Sequence, residues 1–139
     1  MPVTALINID VEDLARAVAF YTAALGLTVG RRLGPGAVEL LGAGAPIYLL
    51  EKPAMSAAGP ATTQSRSYSR HWTPVHLDFV VADIEKALRA AMDAGATLEV
   101  ATVTNVLGKI AQLADPFGHG FCLIEFVARG YDELVTNSS

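Results

Sequence analysis

The stretch Val11-Glu12-Asp13-Leu14 returns later in the chain as Val81-Ala82-Asp83-Ile84, and the residues around the two copies repeat the same order of patterns. Residues 3–11 alternate, with Val3, Ala5, Ile7, Ile9 and Val11 on one row and Thr4, Leu6, Asn8 and Asp10 on the other, which is the period of a half-buried strand. Asp13 is placed to cap a helix whose Leu14, Ala17, Val18, Tyr21 and Leu25 form one apolar stripe, with Phe20 and Tyr21 in the core and Gly26 at the C-terminal turn. Strands are expected over 27–33, 37–41 and 45–51, divided by Gly34-Pro35-Gly36 and Gly42-Ala43-Gly44. The second copy opens at residues 74–83, where Val75, Leu77, Phe79 and Val81 share a face and His76, Asp78 and Val80 share the opposite one. Asp83 caps a helix carrying Ile84, Ala87, Leu88 and Ala91 and ending at Gly95. Strands follow over 97–103, 106–114 and 120–127, with the turn Asp115-Pro116-Phe117-Gly118 before the last.

Both halves therefore read strand, helix, strand, strand, strand, and an internal duplication organises the chain. The expected fold is α+β: two tandem βαβββ modules forming a curved mixed sheet around a cleft, with the helices on the outer side. One domain is expected over residues 1–139, with module one at about 3–51, a linker at 52–72, module two at 73–127 and a short tail at 128–139. Ile47-Tyr48-Leu49-Leu50-Glu51 corresponds to Phe121-Cys122-Leu123-Ile124-Glu125. Aligning the copies pairs Leu6 with His76, Asn8 with Asp78 and Tyr48 with Cys122, and places all six on the concave side. The linker is rich in Ala, Ser, Thr, Pro and Gly and has neither period; it is a solvated connector or a lid. His71 and His119 fall near turns and are expected to be solvated.

Composition narrows the partners. The chain has 139 residues, 52% of them hydrophobic and 17% charged, which suits a packed core rather than a disordered chain. A net charge of −4 argues against nucleic acid, whose phosphates call for Lys and Arg. No run approaches the roughly 20 apolar residues of a membrane helix. The opening MPVTALINID has no positive region or long apolar run, so no signal peptide is expected. The single cysteine excludes an internal disulfide and fits a reducing, cytoplasmic setting.

Ile9-Asp10-Val11-Glu12-Asp13-Leu14, Ala19-Phe20-Tyr21, Leu25-Gly26-Leu27, residues 76–83 and Asp115-Pro116-Phe117-Gly118 together resemble the vicinal oxygen chelate superfamily, over nearly the whole of residues 3–127. That superfamily includes glyoxalase I, extradiol dioxygenases, epimerases, fosfomycin-resistance transferases and bleomycin-resistance binding proteins. The resemblance implies a fold, and a homodimer with the cleft built partly at the interface; it leaves the reaction open, and also whether modules pair within a chain or between chains. It further implies that metal-using members take one ligand from the first and one from the last strand of each module, positions filled here by Leu6, His76, Tyr48 and Cys122. Only His76 is a standard ligand type for these positions. Leu6 cannot bind a metal, Tyr48 would have to ionise, and Cys122 stands where a carboxylate is usual. Glu51 and Glu125 point to the other face.

No bound metal or other cofactor is therefore expected. The reading is a metal-independent binding protein for a small organic molecule, whether it is an enzyme being left open. The candidate catalytic residues are His76 and Asp78, and the candidate ligand contacts are Asn8, Tyr48, Trp72 and Cys122. Asp78 and Asp10 would give an acidic lining suited to cationic groups. The alternative is a metal-dependent lyase, isomerase or dioxygenase holding Fe, Ni, Mn or Zn through His76 and Cys122.

Overall fold

In the computed structural model, which describes residues 2–136, the element order is β1 (Ile7–Val11), α1 (Leu14–Leu25), β2 (Thr28–Arg32), β3 (Ala37–Leu41), β4 (Ile47–Glu51), then β5 (Leu77–Val80), α2 (Ile84–Ala94), β6 (Thr97–Thr104), β7 (Gly108–Ala114) and β8 (Gly120–Phe126). The two βαβββ modules expected from the repeat are both present. Each builds its own four-stranded sheet, ordered β1-β4-β3-β2 and β5-β8-β7-β6. In both, the first strand lies parallel to the last and the other pairings are antiparallel. Asn8 pairs with Tyr48 just as Asp78 pairs with Cys122, so the alignment of the two copies is the alignment of the two sheets.

The helices begin where the sequence places them. Asp13 accepts from the Arg16 amide and Asp83 from the Lys86 amide, each satisfying an otherwise orphaned donor of the first turn. Gly26 ends α1 at φ 67°, where a side chain would be strained. On the helix side of each sheet, the carboxylate that closes the last strand reaches the first helical amide. Glu51 Oε2 accepts from Leu14 N at 2.7 Å, and Glu125 Oε1 accepts from Ile84 N at 2.9 Å. Both glutamates therefore point away from the concave rows, as their strand phase requires.

The core is shared by the modules. Phe20, Tyr21, Leu40, Ile47 and Leu49 of module one join Ile84, Leu113, Phe121 and Leu123 of module two in one buried cluster, and α1 packs against α2 as well as against its own sheet. Phe20 meets Phe121 edge-on at 6.4 Å between centroids, a favourable aromatic geometry.

Two strands are shorter than the alternation suggests. β1 starts at Ile7 rather than Val3, and β5 at Leu77 rather than Pro74. Each is an edge strand with one partner, and the partner sets the start. The Ile7 amide already donates to Pro46 O, just ahead of β4, and Leu77 faces Phe121 at the start of β8. Val3 and Leu6 consequently stand in solvent, 97% and 59% exposed. Residues 52–72 are also more ordered than a bare connector. Met55, Ala58 and Arg66 amides bond across a small hairpin, and Tyr68 packs edge-on against Phe117. Beyond β8, Gly130–Leu134 forms a 3₁₀ turn whose Tyr131 meets Phe126 edge-on. The last three residues of the expected tail lie outside the described residues.

Candidate functional site

The same row of the two sheets carries different chemistry in the two modules. In module one it reads Asn8, Tyr48, Glu39 across β1, β4 and β3. Glu39 is buried, 6% exposed, and is the hub of a closed set of bonds. Its carboxylate accepts from Arg31 Nη2 at 2.6 Å, from Arg31 Nε and from the Arg31 amide, and from the Tyr48 hydroxyl at 2.8 Å. Arg31 and these bonds hold the Glu39 carboxyl down at about 2, and the same pairing raises the Arg31 guanidinium. Tyr48 is thus occupied within the sheet: its hydroxyl also lies 3.2 Å from Arg31 Nη2, and it does not line the groove described below.

In module two the row reads Asp78, Cys122, Gln112 across β5, β8 and β7. His76, just ahead of β5, sets its Nε2 3.2 Å from Asp78 Oδ1, and donor atoms of His76, Asp78 and Cys122 all lie within 4.8 Å of one another. Burial, followed by the neighbouring Asp78 charge and its hydrogen bond, pushes the Cys122 thiol up to about 11. A thiol held that high is not a ready nucleophile, since that chemistry needs the thiolate. The residues do not fill the four-position metal set of the superfamily, because Leu6 offers no donor and the Tyr48 hydroxyl is spent on Glu39 and Arg31.

Two adjoining hollows share His76, Thr73, Gly120 and Phe121. The smaller, about 220 Å³, opens over the module-two row and is walled by Cys122, Gln112, Glu99, Arg70 and Trp72. The larger, about 380 Å³, lies between the free edges of β1 and β5, among Asn8, Tyr21, Phe79, His71 and His119. The groove they make falls in the size range of small-molecule sites. The end of the linker forms one wall. Arg66 ties it to module one through Asp10 (2.8 Å), and Arg70 ties it to module two through both oxygens of Glu99 (2.6 and 2.9 Å). Trp72 stands at the rim, 80% exposed. The Asp10 carboxylate is paired with Arg66, and that of Asp78 lies beside the His76 ring.

His71 and His119 are not the solvated histidines the sequence suggests. His71 Nε2 and His119 Nδ1 are 2.8 Å apart, and His119 Nε2 is 2.6 Å from the Asp10 carbonyl. Asp115 places His119. Its buried carboxylate accepts from the Phe117 and His119 amides and from the Tyr21 hydroxyl of the other module. Burial and Asp115 raise the Tyr21 hydroxyl well above its usual range, so it stays a donor. The turn Asp115-Pro116-Phe117-Gly118 marks where His119 sits, but nothing in the sequence marks His71 as its partner.

The sequence profile of the glyoxalase-like domain family matches residues 6–124. The chain belongs to that family. The resemblance to the vicinal oxygen chelate superfamily thereby holds for fold and family. Over 122 residues the domain is 30% identical to the uncharacterized protein Mb0911c of Mycobacterium bovis, covering 84% of this chain and 78% of that one. Among solved structures, this glyoxalase-like domain is similar to a glyoxalase/bleomycin resistance protein/dioxygenase family enzyme from Burkholderia phytofirmans PsJN (TM-score 0.67, 22% identity, 88% and 97% of the two chains covered). It is also similar to TnmS3, an antibiotic binding protein from Streptomyces sp. CB03234 (TM-score 0.65, 17% identity, 91% and 98% covered). At these identities the two structures speak for the fold of the domain.

Three shifted groups bear on the domain's pH dependence: His71, Glu39 and Glu99, whose carboxyl the hydrogen bond from Arg70 holds below its usual value. Burial, then His119 and Arg70, lower the His71 imidazole from 6.5. A depressed histidine stabilises the fold fully above its unfolded value and less as pH falls below it. Glu39, lowered from 4.5 to about 2, contributes stability that is present above 4.5 and is lost as pH falls toward about 2. The thermal midpoint is expected to drop in two stages on acidification. His71→Gln should flatten the first and Glu39→Gln the second; a single stage insensitive to both would contradict this assignment.

Proposed function

We propose that this glyoxalase-like domain is a small-molecule binding protein that holds an organic ligand in the groove around His76 without a catalytic metal. The supporting observation is the closed set of bonds in module one. Tyr48, Glu39 and Arg31 satisfy one another, so that half of the usual donor set has nothing to offer a metal. The aromatic walls and the exposed Trp72 ring suit an aromatic ligand. The antibiotic-binding relative in fold is consistent with this role. His76 and Asp78 orient the ligand's polar end, Asn8 and Trp72 contact it, and Cys122 lines the floor as a neutral thiol. The protein acts in the cytoplasm as a homodimer, the exposed Val80, Val100, Val103 and Val106 giving a second copy apolar surface to cover.

Trp72 is the sole tryptophan, so its fluorescence reports on the groove directly. An aromatic ligand is expected to quench it equally with and without chelator, and Trp72→Ala, followed by calorimetry, to weaken binding by a factor of about ten. Purified protein should carry no stoichiometric metal, and Fe²⁺, Ni²⁺, Mn²⁺ and Zn²⁺ should leave the melting temperature unmoved.

A second reading, a metal-dependent lyase, isomerase or dioxygenase, is favoured by one observation: the His76, Asp78 and Cys122 donors lie close enough together to share an ion. Near-stoichiometric metal, with a metal-dependent rise in melting temperature that disappears in His76→Ala, would replace the first reading with this one.

A further inference from the structure

We propose that His71 and His119 form a proton-accepting dyad for the larger hollow, and that its ligand is a small aromatic or enolic hydroxyl compound, weakly acidic, bound as its anion. This rests on the reading of the groove as a small-molecule site and adds a second polar centre to it, in the hollow that His76 also lines.

The hydrogen-bond chain fixes the tautomers. A carbonyl oxygen only accepts, so His119 must donate to Asp10 O from Nε2. In the neutral pair, His119 Nδ1 is then an acceptor, and the proton between the rings belongs to His71 Nε2. That leaves His71 Nδ1 as the one basic nitrogen of the pair without a partner among the described residues. No buried side-chain nitrogen or oxygen lacks a partner among them either, so Nδ1 is open rather than sealed, and His71 lines the hollow. A proton arriving at Nδ1 breaks no bond in the chain, and the ring-to-ring hydrogen bond can pass the charge to His119. A second proton would set two N–H groups against each other, so the pair takes up one.

The surroundings select the ligand. Tyr21, Phe79 and Phe121 form an apolar wall, and no Lys or Arg lines the larger hollow. A permanent anion therefore finds no fixed cation there, whereas a neutral acid can create its own. The ligand's O–H bond breaks, its electron pair stays on oxygen, and the proton forms the N–H bond at His71 Nδ1; nothing is oxidised or reduced. The charged and titratable groups around the pair agree with a single uptake. Burial opposes a proton on His71, as do His119 and Arg70, and Asp115 favours one. The Asp10 carboxylate is held by Arg66, the Tyr21 hydroxyl donates to Asp115, Tyr68 presents its ring to His119, and His76 stands elsewhere on the lining.

Affinity should be highest between the pH at which the pair takes up its proton and the pH at which the free ligand loses its own. It should fall on both sides, because on the acid side the pair is already charged and on the alkaline side the free ligand already is. The probe is 4-nitrophenol, which titrates near neutrality and turns yellow as the phenolate, with 4-nitroanisole as the analogue that has no proton to give. At slightly acid pH, adding the full-length protein to 4-nitrophenol is expected to raise the phenolate absorbance. His71→Gln should abolish that rise and weaken 4-nitrophenol binding about ten- to hundredfold, the range of a charge-assisted hydrogen bond, a larger factor than it costs 4-nitroanisole. Histidine side-chain ¹⁵N shifts in the unaltered protein should show imidazolium on ligand addition, a readout independent of how the variant folds. If 4-nitroanisole binds and 4-nitrophenol binds without phenolate or imidazolium signals, the dyad is overturned and the groove stands. If neither compound binds, the hollow is no site for such ligands and both readings fall.

Discussion

Asp115→Ala is expected to lower the unfolding free energy by about 3–5 kcal/mol, the range for removing one partner of a buried, hydrogen-bonded charge. The carboxylate is 4% exposed and serves three donors at once: the Phe117 and His119 amides, which fold the turn before β8, and the Tyr21 hydroxyl, which comes from α1 in the other module. Alanine would strand all three, in a setting where Tyr21 itself is only 2% exposed. Urea unfolding of Asp115→Ala, Tyr21→Phe and the double variant measures the shared term. Strong coupling between the two substitutions is expected, since each removes the same bond. Additive effects would show that the modules are held together elsewhere. Asp115→Asn should be milder, because its amide oxygen can still accept from the turn amides.

Gly118→Ala should be nearly as damaging and should also empty the groove. Gly118 has φ 81°, and a Cβ there would sit 2.4 Å from the Ser69 carbonyl oxygen and 2.9 Å from that of Tyr68. Both obstacles are backbone, so no rotamer relieves them. The left-handed conformation adds about 1–2 kcal/mol, and the clash brings the expected loss to about 2–4 kcal/mol. To make room, residues 68–71 must lift from the turn, breaking the bond from the His71 amide to Gly118 O and carrying His71 and Trp72 away from their places. Trypsin cleavage at Arg66 and Arg70 should accelerate, and quenching of Trp72 by an aromatic ligand should be lost. An alanine variant with unchanged proteolysis and unchanged quenching would show that residues 68–71 are not seated by this turn.

The modules, both helix caps and the turn at Asp115 were legible because each is written in local chemistry: alternation, a capping carboxylate, a Pro and a Gly at their turn positions. The concave rows were legible from strand phase, which says which face a side chain takes but not who meets it there. Tyr48 shows the difference. Its face was correct, yet its hydroxyl is claimed by Glu39 and Arg31 from β3 and β2. The clue was the opposite charges on strands joined by Gly34-Pro35-Gly36, a cross-strand pair. His71 and His119 were illegible for another reason. They meet across 48 positions because the linker folds back on the last turn, and no periodicity encodes that return. The starts of β1 and β5 were misjudged because alternation continues past the point where a partner strand exists.

The paired glutamates at the ends of β4 and β8 bear on how the chain acquires its shape. Each closes a loop from its strand end to the first turn of its own helix, spanning 37 positions in one half and 41 in the other. Loop-closure entropy grows only slowly with length, so the two halves face nearly equal search costs. The bond from Tyr21 to Asp115 spans 94 positions and joins elements that must already exist. Two comparable nuclei that form independently and dock late are the expected route. On that route, Glu51→Ala and Glu125→Ala would slow folding, while Tyr21→Phe would mainly speed unfolding.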